Sequence, residues 1–81
     1  MKNSEEVQFE IINNIGVLSS SKSGWLRELN IVSWSGHEPK YDLRDWSPDH
    51  SKMGKGVTLT LEELKKLFEA IEQEIKTLET L

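Results

Sequence analysis

The sequence predicts an α+β fold: a four-stranded antiparallel sheet followed by one C-terminal helix (ββββα), with one face of a curved sheet left open. Three observations carry that reading. Thr60-Leu61-Glu62-Glu63 is a capping box, in which the Thr60 hydroxyl accepts from the Glu63 amide and the Glu63 side chain reaches back. Apolar residues then recur at Leu64, Leu67, Phe68, Ile71, Ile75 and Leu78, the three-and-four spacing of an amphipathic helix. Upstream, β-branched and aromatic runs are divided by Ser, Gly, Pro and Asn clusters, and residues 40–46 alternate cleanly between apolar and polar.

Taken in order, residues 7–20 form a first strand, bulged or kinked where Asn13-Asn14 and Gly16 interrupt its alternation. Residues 19–24 are a turn by composition, and a second strand follows over 25–35. After a turn at 35–39 comes a third strand over 40–46, with one covered and one open face. A loop runs from Ser47 to Gly54, and residues 56–59 make a short fourth strand. The helix occupies 61–79, with no Gly or Pro inside it. The chain is expected to be a single domain over 1–81, with a disordered N-terminus at 1–6, sheet over 7–60 and the helix after it.

Size and composition narrow the class further. With 81 residues and 36% hydrophobic side chains, the core is small, and a domain of this length is marginal without a staple. There is no cysteine, which excludes disulfides, thiolate chemistry, zinc ribbons and iron–sulfur clusters. Oligomerisation is therefore the expected source of stability, and the helix stripe, wider than one small sheet can cover, points to helix pairing in a homodimer. No apolar run approaches the roughly 20 residues of a bilayer span, and none of secretory length follows the N-terminus. The expected setting is the cytoplasm, at the nucleoid.

Alternation assigns the faces. Tyr41 and Leu43 share one face with Val57 and Leu59, expected to lie under the helix, while Lys40, Asp42, Arg44 and Trp46 share the other. Leu29 and Ile31 read as core, which puts Asn30, Val32 and Trp34 opposite. Trp34 and Trp46 then stand on a water-facing sheet beside Arg44 and Lys40. Flat rings with neighbouring cations stack unpaired bases, at about 1–3 kcal/mol per base. Lys52 and Lys55, in the glycine-flanked run Lys52-Met53-Gly54-Lys55-Gly56, add flexible phosphate contacts, and Arg27 is a further cation on the second strand. No basic helix is offered to a major groove, so the expected ligand is single-stranded. On this placement Trp46→Ala weakens binding without unfolding the protein.

The net charge of −4 is mild counter-evidence. It is unevenly spread: residues 1–20 sum to −2, residues 61–81 to −3, and the intervening 21–60 to +1. A binding surface responds to its local field, and the acidic helix is free to face away.

The same residues resemble a known family. Residues 41–46 (YDLRDW), then 54–59 (GKGVTL), then a helix, are similar to the C-terminal single-stranded-DNA-binding domain of the transcriptional coactivator positive cofactor four. The stretches EPKYD, WSPDH and KMGKG at 38–42, 46–50 and 52–56 resemble its small bacterial YdbC-like branch almost letter for letter. The likeness covers about residues 8–75. It implies a homodimer whose curved sheets bind single-stranded DNA with little sequence preference, in transcription or DNA maintenance. It also implies that Arg44, aromatics near Trp34 and Trp46, and lysines near Lys52 and Lys55 meet the strand. Two departures are plain: the coactivator's tryptophan lies three residues after its arginine whereas Trp46 lies two after Arg44, and these 81 residues include no run like the eukaryotic serine- and lysine-rich regulatory arm, so regulation of that kind is not expected.

Plainer readings stand beside these. Trp25 shares the parity of Leu29 and Ile31 and reads as core packing or a rim platform. Trp34 and Trp46 could cap a second core, and Arg44 could pair with Asp42 or Asp45. His37, Glu38, Asp49 and His50 fit no metal-ligand frame, and no nucleophile–base pair or phosphate-loop spacing is present. The expectation is a non-enzyme with no cofactor, no metal, no small-molecule substrate and no membrane partner. Two other ligands remain alternatives on the same surface: a protein docked on the open sheet face, and single-stranded RNA.

Overall fold

Turns fall where small and polar residues cluster, and they cut the first three-quarters of the chain into strands. The structure, a computed structural model, describes residues 8–81; the expected disorder at 1–6 lies outside the described residues. β1 (Phe9–Ser20), β2 (Leu26–Trp34), β3 (Lys40–Trp46) and β4 (Met53–Leu59) form one antiparallel meander in chain order, followed by α1 (Leu61–Glu79). The β1–β2 hairpin closes with the Ser21 amide donating to the Trp25 carbonyl at 2.8 Å. In the next turn Ser35 and Gly36 both have positive φ (50° and 76°), the primed-turn pattern that matches strand twist.

Two features of the strands position everything else. β1 carries three register shifts against β2, at Ile11/Asn13, Asn14/Gly16 and Val17/Ser19, so the irregularity expected near Asn13-Asn14 and Gly16 is present and repeated. Such bulges bend and coil a strand. β4 starts at Met53, not at Gly56 as expected, and so Met53–Gly56 is strand rather than flexible loop. Gly56 sits opposite Arg44, where an added Cβ would run into the Arg44 Cβ and come within 2.5 Å of the Leu43 carbonyl oxygen. Only glycine lets the two backbones approach this closely.

The sheet is strongly curled. Trp34 and Leu26 lie at opposite ends of β2, and Trp46 is the register partner of Leu26. A straight strand would hold those ends about 26 Å apart. Instead the Trp34 and Trp46 rings meet across one face, 6.5 Å between centroids and 12° from parallel. That concave face contains the core, with Val32, Trp46, Asn30 and Asp42 all fully buried.

The helix is on the other side and seals little. Its capping box forms as expected, with Glu63 N–H donating to Thr60 Oγ1 at 3.1 Å and Thr60 N–H to Glu63 Oε1 at 2.8 Å. It meets the sheet only along β3 and β4, and none of its residues is buried. Tyr41, Leu43 and Leu59 are half-buried and Val57 is exposed, so the side expected to form the core is the unfinished one.

Candidate nucleic-acid interface

Antiparallel register lines up polar residues along the floor of the concave face. Asn30 is opposite Asp42, and Glu28 is opposite Arg44. Burial at this depth requires each group to find a partner. Arg44 donates from Nε and Nη2 to the two Asp42 carboxylate oxygens, at 2.7 and 2.8 Å, and from Nη1 to the Gly54 carbonyl at 3.3 Å. Asn30 Nδ2 donates to Glu28 Oε1 at 3.0 Å, and Asn14, delivered by the bulged β1, donates to Asn30 Oδ1 at 2.6 Å. His50 Nε2 lies 2.9 Å from Glu28 Oε2.

Aromatic rings roof this floor. Phe9 packs on Trp46 at 5.0 Å and on Trp34 at 6.0 Å, while His50 stacks on the other flank of Trp46 at 5.7 Å. The Arg44 guanidinium lies 4.7 Å from the Trp34 ring centroid, a cation–π contact. Both Trp34 Nε1 and Trp46 Nε1 are buried without an acceptor among the described residues. Each such donor costs about 1–3 kcal/mol.

The β3–β4 loop completes the roof. His50 has φ 61°, a left-handed conformation that is uncommon for a non-glycine residue and that its contacts help to hold. Glu28 and Trp46 supply that hold. Asp49 Oδ1 accepts from the Ser47 and Ser51 hydroxyls and the Ser51 amide, at 3.0, 2.7 and 3.0 Å. The Ser51 hydroxyl and amide, then Ser47, hold the Asp49 carboxyl down to about 2.

The structure corrects several sequence expectations. Trp46 is on the face away from the helix, as alternation required, yet it has no exposed surface. It is sealed by Phe9, Trp34 and His50, because the sheet curls until its own ends meet, and its ring is closed to a base. Trp34 is half-buried against it. Arg44 shares the face, but its side chain is only 15% exposed and its charge is spent on the fully buried Asp42. Lys40, Lys52 and Lys55 are exposed, although Lys55 lies on β4. Arg27 is exposed and paired with Asp45 at 2.8 Å, and their mutual hydrogen bond raises the Arg27 pKa and lowers that of Asp45. His50, expected only as part of the Ser47–Gly54 loop, braces a buried carboxylate.

Sequence reasoning put Asn30 on this face beside Trp34 without giving it a role, and it missed Phe9, Asn14 and Glu28 as members of this assembly. A signal existed for two of these four. Glu28 and Asn30 alternate with Leu29 and Ile31, and in register they oppose Arg44 and Asp42 with complementary chemistry. Asn14 carried no such signal, since the bulges of β1 decide which way it points.

The fold and this face define the class: a small ββββα domain with a curled meander and a capped C-terminal helix. Comparison with known proteins supplies the family. The match to the family described as Transcriptional Coactivator p15 (PC4) spans residues 21–70. An uncharacterized protein of Treponema pallidum (strain Nichols) is 52% identical over 63 residues, 78% of this chain and 74% of that protein. The chain belongs to the transcriptional coactivator p15 (PC4) family, a family known for single-stranded DNA binding and coactivation. Among the described residues no helix is long and apolar enough to cross a membrane.

Proposed function

We propose that the protein is a non-enzymatic homodimer that binds single-stranded DNA with little sequence preference, acting in transcription regulation or DNA maintenance in the cytoplasm, at the nucleoid. The family match carries this reading, because residues 21–70 include Arg27, Trp34, Lys40, Arg44, Trp46, Lys52 and Lys55. Phosphates meet the exposed Lys40, Lys52, Lys55 and Arg27. Trp34 offers its remaining open surface to the strand, with Arg44 and Trp46 supporting it from beneath.

The dimer reading is supported by the helix. Leu67, Phe68, Ile71, Ile75 and Leu78 are 40–62% exposed in one chain. An apolar groove of ≈ 590 Å³ runs between Leu29 on β2 and Leu64, Leu67, Phe68 and Ile71 on the helix. Exposed apolar area of this kind is what a second copy covers.

Oligo-dT titration at several salt concentrations, with the mass of the free protein measured in parallel, tests both parts. Expected are a dimer and a log–log slope of about −0.7 for every phosphate neutralised. A monomer overturns the first part, and absent or salt-independent binding overturns the second.

A further inference from the structure

Of the three indoles, Trp34 and Trp46 are occupied with one another. Trp25 is not. It follows the positive-φ Gly24 at the end of the β1–β2 turn, and its backbone is pinned on both sides: its carbonyl accepts from the Ser21 amide at 2.8 Å, and its amide donates to Ser21 Oγ at 3.2 Å. Its ring is half-buried and forms a wall common to two clefts.

The clefts differ in what they can hold. The smaller, ≈ 150 Å³, is bounded by Ser19, Ser20 and Ser21 and by the Arg27–Asp45 pair, whose charges cancel. The larger, ≈ 390 Å³, lies between Trp25 and the β3–β4 loop, bounded by Ser47, Pro48, Asp49, Ser51 and Lys52. Only the larger reaches the range of small-ligand sites, about 300–1,000 Å³. Its walls are closely packed: a Cβ on Gly24 would meet Pro48 Cγ at 3.0 Å, and Ser47 Oγ accepts from the Lys52 amide at 2.9 Å. Asp49 is anionic and turns a phosphate away from its end, whereas the exposed Lys52 forms no ion pair among the described residues.

We propose that Trp25 is a stacking platform for one unpaired base of a bound DNA strand, seated in the cleft beside Pro48, with Lys52 meeting the adjoining phosphate. This deepens the single-stranded DNA reading and rests on it. The strand thereby continues round the β1–β2 turn, beyond the open surface of Trp34.

The test titrates the full chain with oligo-dT, following affinity and the indole N–H resonance of Trp25. Trp25→Leu keeps an apolar plug without a π-face, and about 5- to 150-fold weaker binding is expected, the loss of one stacked base. Trp25→Phe restores most of it. Thymidine monophosphate at equal nucleotide concentration is expected not to compete; competition by it overturns the strand assignment in favour of a free nucleotide. Native-strength binding by a folded Trp25→Leu overturns the platform and leaves the wider reading intact, while a native chain that binds no oligonucleotide removes both. If Trp25→Leu melts early, the native resonance decides: movement on titration supports the platform, and an unmoved signal overturns it.

Discussion

The two faces of this sheet both carry large side chains, and they end in opposite states. On the concave face Phe9, Trp34, Trp46 and His50 close over Glu28, Asn30, Asp42 and Arg44, leaving Val32 and Trp46 without exposed surface. On the convex face a whole amphipathic helix is available, yet Phe68 stays 62% exposed and no helical residue is buried. Curvature accounts for the difference. Curling draws the side chains of the inner face together and spreads those of the outer face, so a straight helix touches the outer face along one line only. The charged-looking face is therefore closed within one chain, while the apolar one stays exposed.

The sharpest way to break this comparison is Trp46→Ala. A buried tryptophan truncated to alanine is expected to cost about 3–5 kcal/mol, visible as a large drop in the urea midpoint or loss of cooperative melting. That reverses the outcome expected from sequence. A variant that melts like the native chain and merely binds DNA less well would show that the concave face is no core. Ile71→Glu strikes the opposite face. It is expected to leave the strands folded by circular dichroism while weakening self-association about a hundredfold or more, since a carboxylate would be buried between chains. An unchanged dimer mass places the contact elsewhere.

Smaller effects sharpen the picture. Thr60→Ala removes the capping-box acceptor, and about 1 kcal/mol is expected to be lost in chemical denaturation. The loss should be read in helical signal more than in the fluorescence of Trp34 and Trp46, because those two indoles sit on the other face. The smallest effect concerns the loop roofing the concave side. The folded Asp49 carboxyl titrates near 2, below its unfolded value. Its contribution is thus complete above about pH 4 and disappears as pH falls through the folded value. Ser51 amide protection should show no Asp49-linked change between pH 5 and 8 and should fall only in strong acid. A midpoint near 4 in the Asp49 carboxyl resonance would mean that the serine hydrogen bonds do not hold it.

What could be read from the residues alone is whatever depends on neighbours in the chain. The capping box at Thr60 and Glu63, the helix stripe, the irregularity of β1 and the shared parity of Arg44 and Trp46 are all local, and each is present in the fold. The family likeness rests on such local runs too. Only the tertiary structure decided which face closes. Alternation says that Trp34, Arg44 and Trp46 share a side, but not that the sheet bends until Trp34 at one end of β2 stacks on Trp46, the β3 partner of the other end, across that side. The start of β4 was hidden for a similar reason, because Gly54 and Gly56 read as loop until the Arg44 backbone is seen pressed against Gly56. Curvature sums small displacements over four strands and four register shifts, and a sum of that kind belongs to no single stretch of sequence.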